Sequence, residues 1–138
     1  MSSEHPNVAI LRRIYARDRE AFYAALAPDY VCHTPGSCPV SGDHHGVDGM
    51  RRHIEEGQTL SGGTFRVHAL GAFVADDQWG MVPVRLTAER GGAVLETRAF
   101  GVWRFANGRI AEHWECPFDL HAFEAFWQAC ARMSEGGR

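Results

Sequence analysis

The chain has 138 residues and a formal net charge of −3, with 45% hydrophobic and 22% charged residues, which are the proportions of a soluble protein with one sizeable core. The acidic balance excludes the basic footprint of a nucleic-acid binder, and no apolar run is long enough to span a bilayer. All fourteen basic residues are arginine, which excludes lysine Schiff bases, pyridoxal phosphate anchoring and a P-loop lysine. The start, "MSSEHPNVAI", lacks the basic-then-apolar layout of a signal peptide, so a cytoplasmic location is expected. Cys32, Cys38, Cys116 and Cys130 form no C-x-x-C pair and read as free thiols, with Cys130 buried on a helix.

Val8, Leu11, Ile14 and Tyr15 recur at helical spacing and predict a first helix from about Pro6 to Ala16. Asp18 is a candidate N-cap for a second helix, with Phe22 and Leu26 on one face and Pro28 ending it. Tyr30 to Thr34 reads as a short strand ending on His33 and Thr34-Pro35-Gly36. A long Gly-, Pro- and Ser-containing loop follows and holds Asp43, His44 and His45. A third helix is predicted from about Val47 to Glu56, with Val47, Met50 and Ile54 inward, and "GQTLSGG" breaks the chain.

The second half reads as a strand meander. Thr64 to Ala75 turns at Asp76-Asp77 into Gln78 to Glu89, and Arg90-Gly91-Gly92 turns into Ala93 to Phe105. Asn107-Gly108 is the strongest hairpin signal and leads into Arg109 to Cys116. Asp119 caps a last helix whose apolar face carries Leu120, Phe123, Phe126, Trp127 and Cys130. Helices followed by four antiparallel strands predict a single α+β domain over residues 1–138. Its curled sheet, closed by helices, forms a cone with one pocket suited to a small molecule.

That order, with "VCHTPGSCPVSGDHHG", "GVDGMRRHI" and "VWRFANGRIAEHWECPFDLHAFEAFW", resembles the nuclear-transport-factor-2-like superfamily over nearly the whole chain. The last segment is most similar to SnoaL-like polyketide cyclases and limonene-epoxide-hydrolase-like proteins, and more distantly to ketosteroid isomerases. The resemblance puts His33 where the isomerases carry their general base and Gly101 where they carry an oxyanion aspartate. Their helix-one tyrosine is not matched in register by Tyr15. The Arg-x-Asp pair of the epoxide hydrolases finds only Arg85, read here as a partner of Glu96.

Their final-strand aspartate falls at Glu115 when counted forward from the hairpin glycine, and at Cys116 when counted back from Pro117-Phe118-Asp119. The forward count faces His113 and Glu115 to the pocket, whereas the backward count faces Trp114 and Cys116. The hairpin favours the forward count.

His33, His113 and Glu115 are therefore the candidate catalytic residues, because imidazole titrates near neutral pH and a neighbouring carboxylate can orient it. Tyr15, Phe22, Met50, Trp79, Trp103, Trp114 and Phe118 are the candidate substrate-binding residues. Adjacent histidines point apart, so His44 and His45 read as loop residues before metal ligands, with convergence of His33, one of these two and His113 on a metal as the alternative. His53, His68 and His121 read as surface residues. The expected protein is a cofactor- and metal-independent homodimer acting by enolate chemistry (isomerisation, cyclisation or dehydration) on a small apolar carbonyl or polyketide-like compound. Two alternatives are hydrolysis of an epoxide or enol through Glu115, and a non-catalytic ligand-binding domain.

Overall fold

A computed structural model describes residues 4–136. In chain order the elements are α1 (Pro6–Tyr15), α2 (Arg19–Ala25), β1 (Leu26–Thr34), β2 (Gly42–His45), α3 (Gly46–Leu60), β3 (Arg66–Ala69), β4 (Val74–Ala75), β5 (Trp79–Arg90), β6 (Ala93–Ala106), β7 (Arg109–Pro117) and α4 (Leu120–Gly136). The helix starts follow from local chemistry. Pro6 occupies the first turn of α1, where its missing N–H costs nothing. Asp18 caps α2 by accepting from the Ala21 N–H at 3.1 Å, and Asp119 accepts from the Ala122 N–H at 2.9 Å ahead of α4.

The sheet runs β2-β1-β7-β6-β5-β3, with β4 also on β5. It is an α+β cone with helices against the inner face. It has seven strands rather than four, and it is mixed rather than wholly antiparallel, because β1 lies parallel to β7. The predicted strand from Thr64 to Ala75 is broken into β3 and β4 around Gly71, whose φ of +105° suits glycine and few other residues. The edge strand β2, "GDHH", carries no alternating apolar signal and reads as loop from sequence. Helix α3 runs through Gln58 to Leu60, since Gly57 faces the ring of Trp127.

Alternation fills the core from β5. Val82, Val84 and Leu86 are 0% exposed, as are Leu11 of α1 and Ile110 of β7. One irregularity decides the site. Phe105 pairs with Ile110 but Arg104 pairs with Glu112, so β7 carries an extra residue at Ala111. Strict alternation from Ile110 would send Glu112 and Trp114 inward. The bulge reverses that parity and sends His113 and Glu115 inward instead.

Leu86→Ala deletes a fully enclosed side chain from the centre of the sheet. It should lower unfolding free energy by about 2–5 kcal/mol in urea titrations, with an unchanged denaturant slope. A loss below about 1 kcal/mol would be that of a surface leucine and would contradict this packing.

Candidate functional site

Between the helices and the inner sheet face lies a cavity of about 430 Å³, the size of a small-molecule site. Its sheet wall is built by Cys32 and Thr34 of β1, Trp103 of β6, and His113 and Glu115 of β7. Tyr15, Phe22, Met50, Ile54, Phe123 and Trp127 close it from the helices.

The polar centre is held by neighbours. His113 Nδ1 lies 3.0 Å from the Val102 carbonyl, which can only accept, so Nδ1 carries a hydrogen. His113 Nε2 lies 3.3 Å from Glu115 Oε2. A hydrogen bond there needs one proton on one of the two, so the pair holds a single transferable proton. Trp103 stacks on the imidazole with centroids 3.7 Å apart and fixes its plane. Trp103 Nε1 also donates to the Tyr15 hydroxyl at 3.2 Å.

Gly101 makes room for this group, since a Cβ there would come within 2.3 Å of the Tyr15 oxygen. The position where the resemblance asks for an oxyanion acid is thus overlaid by a tyrosine hydroxyl. Burial, and then the charge of Glu115, raises the Tyr15 pKa, so the phenol keeps its proton. Burial, and then Glu115, pushes the Cys32 thiol up to about 12, which removes it as a nucleophile at neutral pH.

Three buried side-chain atoms among the described residues lack a hydrogen-bond partner: His53 Nδ1, Glu115 Oε1 and Trp127 Nε1. All three residues line the cavity. Such atoms are costly in a closed core and are accounted for by water or a ligand. His53 Nε2 is 3.0 Å from Thr34 Oγ1, and its ring stacks on His44 at 3.7 Å. Burial, then repulsion from His44 and His113, pushes the His53 pKa down to about 3. His53 is therefore a neutral imidazole in the wall rather than the surface residue expected from sequence. Its spacing from Met50 and Ile54 on one helical face is the signal that could have found it.

Other expectations are corrected by strand parity. His33 does not line the cavity. It lies on the outer sheet face, with Nδ1 2.7 Å from Asp43 Oδ1 and Nε2 2.7 Å from Glu112 Oε2. Arg104 Nε donates to the other Glu112 oxygen at 2.7 Å, and Trp114 stacks beside His33 at 5.1 Å. Trp114 therefore faces outward too. Trp79 (48% exposed) and Phe118 (60% exposed) lie outside the cavity as well. Tyr15, Phe22, Met50, Trp103, His113 and Glu115 all line it. His33 and His113 stand on opposite faces, and among the described residues no group of three His, Cys, Asp or Glu is placed to hold a metal ion. Arg85 meets Glu96 at 3.2 Å on the outer face.

Comparison with known proteins gives the same architecture. Residues 8–113 match the family model described as SnoaL-like domain. An uncharacterized protein of Mycobacterium tuberculosis, Rv0034, is 28% identical over 129 residues, covering 91% of this chain and 98% of that one. The structure of Bal32a, from a soil-derived mobile gene cassette, superposes with a TM-score of 0.81 at 31% identity, covering 88% of this chain and 96% of that one. TerC, co-crystallized with polyporic acid, superposes with a TM-score of 0.75 at 20% identity, covering 90% of this chain and 99% of that one. This last likeness is one of fold.

The two partnered histidines should titrate in opposite directions. Partial burial pulls the His33 pKa down, but the hydrogen bonds to Glu112 and Asp43 outweigh it and hold it above 6.5. Its contribution to stability is full below the unfolded value of 6.5 and is lost as pH rises through the raised folded value. Glu112 is held below 4.5 by His33 and then Arg104, so its contribution is present above 4.5 and lost as pH falls through the lowered value. His53 acts oppositely to His33, because its unfolded form takes a proton that the folded form refuses. That costs stability as pH falls from 6.5 towards 3. Imidazole ¹⁵N spectra should show His33 titrating above 6.5 and His53 unchanged down to about pH 4. A His53 midpoint near 6.5 would contradict its enclosure.

Proposed function

Because the chain belongs to the SnoaL-like family, which its residues 8–113 match, we propose that it is an enzyme of acid–base chemistry on a small cyclic carbonyl compound. The family includes polyketide cyclases, and isomerisation, cyclisation and dehydration share one first step. A C–H beside a carbonyl loses its proton, and the electrons move onto oxygen to give an enolate. The observation that carries this reading is the buried His113–Glu115 pair, with Glu115 Oε1 left without a protein partner in an apolar cavity.

Glu115 Oε1 takes the proton. For that step the pair's one transferable proton sits on His113 Nε2, which donates to the other Glu115 oxygen and steadies the carboxylate. The Tyr15 hydroxyl, which accepts from Trp103 and has no acceptor among the described residues, donates to the developing enolate oxygen. Gly101 pairs with Glu115 across β6 and β7 and lies beneath that hydroxyl, so donor and base are neighbours. Return of the proton to a different carbon gives isomerisation. Attack of the enolate on a second carbonyl gives cyclisation. No step uses His33. The co-crystal of TerC with polyporic acid supports a small organic ligand in this fold.

We also propose a homodimer through the outer sheet face. Trp79, Met81 and Val94 are exposed there, with Phe100, Val102 and Trp114 partly so, which is more contiguous apolar surface than a lone sheet face should leave in water.

Two measurements test these readings. The protein should accelerate exchange of the α-hydrogens of two-ring ketones such as 2-tetralone in D₂O, followed by proton NMR. Glu115→Gln and His113→Ala should lose about a hundred- to ten-thousandfold of that rate while remaining folded. His33→Ala should exchange at close to the parent rate. No acceleration, or a fully active Glu115→Gln variant, would sink the acid–base reading. Sedimentation at micromolar concentration should give a dimer, and a monomer there would sink the assembly.

A further inference from the structure

The sign of the cavity differs from that of the chain. The protein carries a formal charge of −3, yet among the described residues Arg17, Arg19 and Arg66 line the cavity and Glu115 is its one acidic lining residue. Three guanidiniums against one carboxylate make this a positively biased pocket in an acidic protein. A low-dielectric cleft of one sign focuses its field on a ligand of the other.

Among the described residues, two of these arginines have no protein partner: no hydrogen bond, ion pair or ring contact involves the side chain of Arg17 or Arg19, both exposed at the cavity and next in sequence to Asp18 and Glu20. Arg17 also holds a φ of +66°, in the left-handed region where glycine or asparagine is relaxed and a long side chain is not. The junction between α1 and α2 thus places a guanidinium on the cavity at some backbone cost.

Arg66 is fixed instead. Its Nη1 donates to the Gly63 and Phe65 carbonyls at 2.9 and 2.8 Å and more distantly to Gln58 Oε1 at 3.4 Å, and among the described residues Nε and Nη2 have no partner. Trp127 adds a buried indole N–H with no acceptor. The cavity therefore presents donors in excess, which is what an anion's oxygens need.

We infer that the ligand of this cavity is an anion: a small ring compound with a carboxylate, or an equally acidic enol, held by the cavity arginines while its neutral carbonyl end meets Glu115. This rests on the acid–base reading for the orientation of the ligand, but not for its charge. The same arginines would be poor company for a cationic or fully esterified compound, whose polar end leaves the donors unpaired. A guanidinium accepts carboxylate through two parallel N–H bonds, so it orients the ring as well as attracting it.

The test uses three probes of one shape, 2-naphthoate, its methyl ester and 2-naphthylmethylammonium, with binding followed by calorimetry and by quenching of tryptophan fluorescence. At low ionic strength the carboxylate should bind about tenfold or more tighter than the ester, and the cation most weakly. Added salt should narrow the gap. The double variant Arg17→Gly with Arg19→Gln relaxes the backbone and removes only unpartnered side chains, so it should fold. It should cut the preference to within about twofold and leave ester binding unchanged. Arg66→Gln should act in the same direction.

Glu115→Gln, which removes the exchange reaction, should keep or sharpen the preference for the acid. A protein that fails to exchange α-hydrogens but prefers the carboxylate would lose the acid–base reading alone. Equal affinity for acid and ester, a preference that survives the double variant, or no binding of any probe would overturn the anionic ligand.

Discussion

The whole site depends on the parity of one strand. β7 carries acidic, aromatic and imidazole side chains in strict succession, Glu112-His113-Trp114-Glu115, so a shift of one residue exchanges its inner and outer sets. The extra residue at Ala111 sets the parity, and pairing with both β6 and β1 then locks it. His113 meets Trp103 and Glu115 on the inside, while Glu112 meets His33 and Arg104 on the outside. Moving the bulge would bury the outer ion network in an apolar cavity and expose the inner pair to water.

The two histidine–carboxylate arrangements illustrate what environment does to the same chemistry. His33 stands between two carboxylates at the surface, with an acceptor at each ring nitrogen, and is stabilised as a cation. On the outer face, with its pKa raised by its two carboxylate partners, it is a structural clasp joining β1, β2 and β7. His113 has a carbonyl at one nitrogen and a single buried carboxylate at the other, with a stacked indole excluding water. There one proton has two possible holders and an apolar chamber beside it. His53 completes the contrast as an imidazole kept neutral by burial and by its histidine neighbours.

Much of this was legible in the sequence. The Asn107-Gly108 turn, the alternation in β5 and β6 and the two aspartate caps depend on local chemistry, and local chemistry is what a sequence displays. The forward count from the hairpin placed His113 and Glu115 on the inner face, although the structural reason is the bulge at Ala111 rather than the turn alone. His33 was misplaced because a short strand gives no parity of its own. Its orientation follows from the parallel pairing of β1 with β7, a contact between residues about eighty apart in sequence. Trp114 faces outward because the bulge at Ala111 sets the parity of β7. His53 and Trp127 were missed because their roles come from helices docking over the sheet, and a polar residue beside an apolar helical stripe carries no mark of which wall it will enter; Arg17 and Arg66 were missed because a turn and a short edge strand carry no periodicity of their own.

The central claim is that acid–base chemistry belongs to the inner pair, and a crystal structure with a planar two-ring phenol bound as an enolate mimic tests it most directly. The phenol oxygen is expected within about 2.5–3.0 Å of Glu115 Oε1 or the Tyr15 hydroxyl, with its rings between Phe22, Met50 and Trp103. A phenol found instead on the outer face, against Trp114 and His33 with the cavity unchanged, would contradict it.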